Sequence, residues 1–122
     1  MWTSHFSMAA KLKGAGYHVV SIAVGTPRWV YPIDKEPALA PTRDMIKMTD
    51  MQEYTRRFMD EILSQVDPKE IFEKYQDAVL LCWEKPGDFC HRQLVADWIE
   101  KATGQKVPEI TIEEITHQKR LF

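Results

Sequence analysis

Residues 78–82 are Ala78-Val79-Leu80-Leu81-Cys82, an unbroken apolar run that predicts a strand covered on both faces. Pro86-Gly87 follows as a turn signal. Asp88 is a good N-cap for a helix from about Phe89 to Ala102, which Gly104 ends. A buried strand, a short turn and an amphipathic helix are together typical of α/β proteins.

A second buried strand is predicted over residues 17–24, where an apolar, β-branched run lies between Gly16 and Gly25. The other predicted elements are a short strand over 1–4, a helix from an N-cap at Ser7 to Gly14, a helix capped by Asp50 and running through Ser64, and a helix starting at Asp67-Pro68. The prolines between Thr26 and Pro41 predict a long connection without regular structure. This order predicts a small parallel α/β sheet with right-handed crossovers.

Length and composition predict one globular domain. The chain has 122 residues and a net charge of -2, a balance that disfavours stable binding to duplex nucleic acid. We expect residues 1–108 to form the core α/β unit, and residues 109–122 a tail with a short strand and a helical turn. Residues 1–6 show no targeting signal, and no apolar run has the length of a membrane span. We therefore expect a cytoplasmic protein with reduced cysteines, and the oligomeric state stays open.

Three segments of the predicted fold meet at the carboxyl ends of the strands, where α/β proteins bind ligands. These segments are Thr3-Ser4, Gly25 to Trp29, and Cys82 to Arg92. The sequence therefore predicts one functional site at this edge of the sheet.

Cys90 is the residue best placed for nucleophilic chemistry. It is predicted to begin a helix, where unpaired N–H groups and the helix dipole stabilise a thiolate. His91 and Arg92 follow directly, and Glu84 lies in the preceding loop. Adjacent residues on a helix point about 100° apart, so His91 need not deprotonate Cys90. We predict Cys90, His91 and Glu84 as the catalytic residues.

Arg92 and Arg28 are predicted to hold an anionic group, because guanidinium groups and free helix N–H groups bind anions. Three tryptophans fall in or next to the converging segments, and aromatic faces beside guanidinium groups suit a nucleotide-like ligand. The alternative is that the tryptophans only pack. The ligand-binding residues predicted in this way are Arg92, Arg28, Cys82, Thr3, Ser4 and Trp29.

Several other interpretations remain open. Cys82, Cys90 and His91 can be zinc ligands, with His5 as a guess for the fourth, although we predict no metal. Cys82 and Cys90 can form a redox-sensitive disulfide. The whole cluster can instead be structural, with Arg92 capping strand-end carbonyls and His91 holding the first strand. No cofactor is predicted, since Gly14-x-Gly16 lies between a helix and a strand, which is the wrong context for a dinucleotide fingerprint.

The segment Leu80-Leu81-Cys82-Trp83-Glu84, followed by Cys90-His91-Arg92, resembles the domain-of-unknown-function family numbered 488. Its signature is a strand ending in Leu-x-Cys-x-Glu, then a turn and Cys-His-Arg at a helix start. The resemblance covers most of residues 1–102 and implies a small Rossmann-like α/β fold. Many relatives place an Arg three positions before the proline that follows the second strand. Here that position is Val24, so no role for such an Arg carries over.

We therefore expect a small α/β enzyme, or a former enzyme, whose cleft binds a phosphate-bearing or nucleotide-like ligand. The rival hypothesis is a non-catalytic binding or regulatory module that senses redox state or metal through Cys82 and Cys90.

Overall fold

The computed structural model describes residues 1–83 and 91–115. Four parallel strands form one sheet in the order β1-β4-β2-β3. The strands are β1 (Trp2–His5), β2 (His18–Ser21), β3 (Asp34–Lys35) and β4 (Ala78–Cys82). The helices are α1 (Ala9–Gly14), α2 (Met51–Arg57), α3 (Pro68–Lys74) and α4 (His91–Thr103). The prediction of a small Rossmann-like parallel α/β fold is confirmed.

β4 lies inside the sheet because β1 and β2 pair with its two sides, Thr3 and Val20 both lying opposite Leu80. Every residue of β4 is buried, as its unbroken apolar sequence predicts. Its side chains alternate between two apolar clusters. Leu80 packs on the face that carries Phe58 and α4, whereas its neighbours pack on the α1 face. The sheet is thus covered on both sides.

Two predicted caps are confirmed. Asp50 accepts hydrogen bonds from the backbone N–H groups of Gln52 and Glu53 at the start of α2. Asp67 accepts one from Lys69 at the start of α3, with Pro68 in the first helical position. The predicted cap at Ser7 is wrong, since α1 begins after a short 3₁₀ turn over Phe6–Met8 and has no side-chain cap.

The prediction that residues 26–41 lack regular structure is also wrong. β3 lies within this connection and pairs with β2, where Asp34 lies opposite Val20. The strand is only two residues long and lies at the edge of the sheet. An edge strand bonds on one side only, so Pro32 and Pro37 on either side of it are tolerated.

The helix predicted through Ser64 changes its winding. α2 ends at Arg57 and continues as a π-helical turn, Phe58–Ile62, and then a 3₁₀ turn, Leu63–Gln65. A π turn bonds residues five apart, so it brings Phe58 and Leu63 towards one side. Both are almost completely buried.

The C-terminal tail packs against the edge strand β1. Thr3 N–H donates to the Pro108 carbonyl at 3.0 Å, and Ile110 N–H donates to the Thr3 carbonyl at 3.0 Å. Thr3 and Glu109 thereby form a parallel bridge, and residues 112–115 form a helical turn. In the part of the chain that the structure describes, no helix is long and apolar enough to cross a membrane.

Candidate functional site

A cavity of about 700 Å³ lies at the carboxyl ends of β2 and β4. The segment after β2 lines it with Ala23, Val24 and Gly25. Trp83, which follows β4, and His91, which begins α4, form two further parts of the wall. The rest of the wall comes from the segment that leads into α2 and from α2 itself, with Pro41, Arg43, Met45, Ile46, Lys47, Met48, Met51 and Tyr54. Its place is the one expected for a ligand site in a parallel α/β sheet.

His91 lines this cavity and is almost fully buried. Its Nε2 lies 2.7 Å from the Ile22 carbonyl oxygen. A carbonyl only accepts, so Nε2 carries the hydrogen and donates it. The Phe58 ring packs edge-on against the imidazole, with ring centres 5.4 Å apart.

Burial is the main cause that lowers the pKa of His91 to about 4, with the positive charge of Arg92 acting in the same direction and the Ile22 hydrogen bond opposing both. The imidazole is therefore neutral near pH 7. It fastens the chain after β2 to the start of α4, a role close to the structural interpretation, although it holds the second strand rather than the first.

Arg92 does not line the cavity. Its side chain is 5% exposed and makes a bidentate pair with Glu109, with Nε–Oε1 at 2.9 Å and Nη2–Oε2 at 2.7 Å. Nη1 also lies 3.4 Å from the Cys82 sulfur. The guanidinium thus lies between the end of β4 and the segment of the tail that pairs with β1.

Thr3 completes this second cluster, because its hydroxyl donates to Glu109 Oε1 at 2.7 Å. Burial raises the pKa of Glu109, but the hydrogen bonds from Arg92 and Thr3 outweigh it and leave the pKa below its usual value. Glu109 is therefore a carboxylate at neutral pH. Three predicted ligand-binding residues, Thr3, Cys82 and Arg92, come together here, around a residue of the tail.

The remaining predicted site residues lie elsewhere. Ser4 is buried in β1, outside the cavity lining. Arg28 and Trp29 are exposed on a 3₁₀ turn that directs Val30 into the core, and neither lines the cavity. The predicted catalytic residues Glu84 and Cys90 lie outside the described residues.

Sequence reasoning missed the segment from Pro41 to Tyr54, which forms the largest wall of the cavity. Met45, Met48 and Met51 recur every third residue, and this spacing was an available signal for a shared face. Arg43 and Lys47 are exposed at the same wall, and neither forms an ion pair within the described ranges. No carboxylate lines the cavity among the residues described.

A family model described as the active DUF488-N3 subclade matches residues 22–103, about two thirds of the chain. The match begins after β2 and ends with α4, so it includes Arg92 but neither Thr3 nor Glu109. No curated protein and no solved structure matches the chain significantly. The chain therefore belongs to the DUF488 family, as the sequence around Cys82 and His91 indicated.

Proposed function

We propose that the chain binds a small anionic, nucleotide-like molecule in the cavity at the carboxyl edge of its sheet. The observation that supports this is the charge and composition of the cavity. Arg43 and Lys47 give the described lining two positive charges and no negative one. The volume of about 700 Å³ falls in the usual range for small-molecule sites.

The rest of the lining suits a planar apolar group. Trp83 is half exposed at the mouth, and the Tyr54 ring lies against Phe58 behind the wall. Methionine side chains adapt in shape and make favourable contacts with aromatic rings. In a ligand with a base-like ring and a phosphate, the ring would pack against the apolar side chains and the phosphate would pair with Arg43 and Lys47.

The test is calorimetric titration with the nucleoside monophosphates and, separately, with inorganic phosphate and the free nucleosides. At least one monophosphate should bind more tightly than either of its parts. Arg43→Ala and Lys47→Ala should each weaken binding about ten-fold or more, since a hydrogen bond to a charged group contributes about 1.5–3 kcal/mol. Lys69→Ala, an exposed change on α3 away from the cavity, should leave binding unchanged. Failure of the whole panel to bind, or equal binding by all variants, would contradict the proposal.

We further propose that Cys90 and Glu84 act on the bound ligand, Cys90 as a nucleophile or contact and Glu84 as an acid or base. Glu84 follows Trp83 directly in sequence, and Cys90 directly precedes His91. Trp83 and His91 both line the cavity, and consecutive Cα atoms are about 3.8 Å apart. What supports the proposal is that the direct sequence neighbour of each residue lines the cavity.

Cys90→Ser and His91→Ala separate this role from a structural one when stability and ligand binding are measured side by side. With the variant and the wild type both kept reduced, Cys90→Ser should alter binding or turnover while the unfolding free energy stays close to that of the wild type. If both variants lose stability alone, the reactive role is wrong.

A second candidate is redox regulation through the cysteines. Cys82 is disulfide-bonded, and the chain contains one other cysteine, Cys90. In this function, reduction releases the thiol that the first proposal uses. Thiol titration of the denatured protein should detect two more thiols after reductant than before it. Equal titres would remove this candidate, and stoichiometric zinc in elemental analysis would replace it with a metal site.

A further inference from the structure

The cluster of Thr3, Arg92 and Glu109 has the geometry of an anion-binding site that is already filled. Arg92 presents Nε and Nη2 side by side to both carboxylate oxygens at 2.9 and 2.7 Å. This fork is the arrangement by which arginine recognises carboxylates and phosphates. The Thr3 hydroxyl adds a third donor to the same oxygen, Oε1, at 2.7 Å.

The two halves of this cluster differ in burial and origin. The Arg92 side chain is 5% exposed, whereas that of Glu109 is 38% exposed. The carboxylate of Glu109 therefore borders solvent, and the guanidinium of Arg92 that binds it does not. Arg92 belongs to the part of the chain that the family model matches, whereas the anion comes from the tail, where Glu109 lies beyond that match.

A buried guanidinium is strongly disfavoured without a partner anion. Glu109 supplies that anion within the same chain, where two backbone hydrogen bonds to Thr3 hold it in register. Such an intramolecular group has a high effective concentration and competes with any anion in solution.

We propose that Thr3 and Arg92 form an oxyanion-binding site, distinct from the cavity, which Glu109 occupies and which a carboxylate or phosphate group fills when Glu109 is absent. Glu109 is then an internal substitute for a ligand. The site does not depend on the proposed function, because neither Thr3 nor Arg92 lines the cavity.

The test is anion rescue of Glu109→Ala. Thermal unfolding is followed as acetate or inorganic phosphate is added, with chloride at matched ionic strength as the blank. Glu109→Ala should have a lowered Tm that acetate, phosphate or both raise saturably. The apparent affinity of Glu109→Ala for the added anion should be at least about ten-fold higher than that of the wild type, because the wild-type Glu109 carboxylate competes for the same site.

Two controls make the result specific. Glu61→Ala removes the bidentate partner of Arg57 on the surface of the helix, and we expect no comparable rescue there. Adding Arg92→Met to Glu109→Ala should abolish the rescue. If Glu109→Ala fails to fold, Glu109→Gln, which keeps an amide in place of the carboxylate, should still respond more strongly than the wild type. A response no larger than that of the wild type or Glu61→Ala, or one that persists without Arg92, would overturn the proposal.

Discussion

Phe58→Ala is expected to lower the free energy of unfolding by about 3–5 kcal/mol, the usual range for removing a fully buried aromatic side chain. Phe58 has no exposed surface, and it packs against Tyr54 and against the His91 ring. It also begins the π-helical turn that brings Leu63 to the same side. The loss should be measured by urea unfolding, with the slope of the transition used to check that the unfolded state is unchanged.

Phe72→Ala is the matched control for this change. Phe72 has the same side chain on α3 but is only partly buried, so its removal should cost clearly less. Because Phe58 supports His91 from behind the cavity, Phe58→Ala should also weaken ligand binding, whereas Phe72→Ala should not. Equal losses of stability for the two variants would show that the position of Phe58 in the π turn and its contact with His91 add no stability beyond that of a partly buried phenylalanine.

The elements of the fold that sequence predicts correctly are those with strong local signals. The apolar run at Ala78–Cys82, the caps at Asp50 and Asp67, and the stop at Gly104, whose φ of +74° suits glycine, all follow from local chemistry. β3 could not be predicted this way, because two residues carry no periodic pattern and tertiary pairing with β2 alone defines the strand.

The site shows the same division. The cavity lies at the carboxyl edge of the sheet, where strand order alone leads the sequence to predict a site. The sequence did not predict which way the arginines face. Arg92 turns to the tail because Glu109, seventeen residues away, lies beside Thr3 through the bridge to β1. Arg43 and Lys47 were missed because charged residues in a loop look the same in sequence whether they line a cavity or face open solvent.

The wild-type protein is expected to lose about 2 kcal/mol of unfolding free energy between pH 7 and pH 5, because His91 titrates differently in the two states. Its pKa is about 4 in the folded protein and near 6.5 in the unfolded chain. Across this window the unfolded state therefore binds more protons, so stability is complete above the unfolded pKa and falls as pH decreases towards the folded one. Chemical denaturation at intervals between the two pH values measures this slope.

His91→Gln should flatten that slope, because glutamine can still donate to the Ile22 carbonyl but does not titrate. His18→Gln is the matched control, since His18 is exposed and pairs with Asp34 at the surface, and its variant should keep most of the slope. The carboxylates with lowered pKa values, Glu109 among them, lose their contribution only at lower pH, so they do not obscure the effect of His91 in this window. A slope that survives His91→Gln would mean that the imidazole is already accessible to protons in the folded protein. In that case the neutral, buried state of His91 at the cavity wall would be wrong, and with it the role of His91 as a fixed link between β2 and α4.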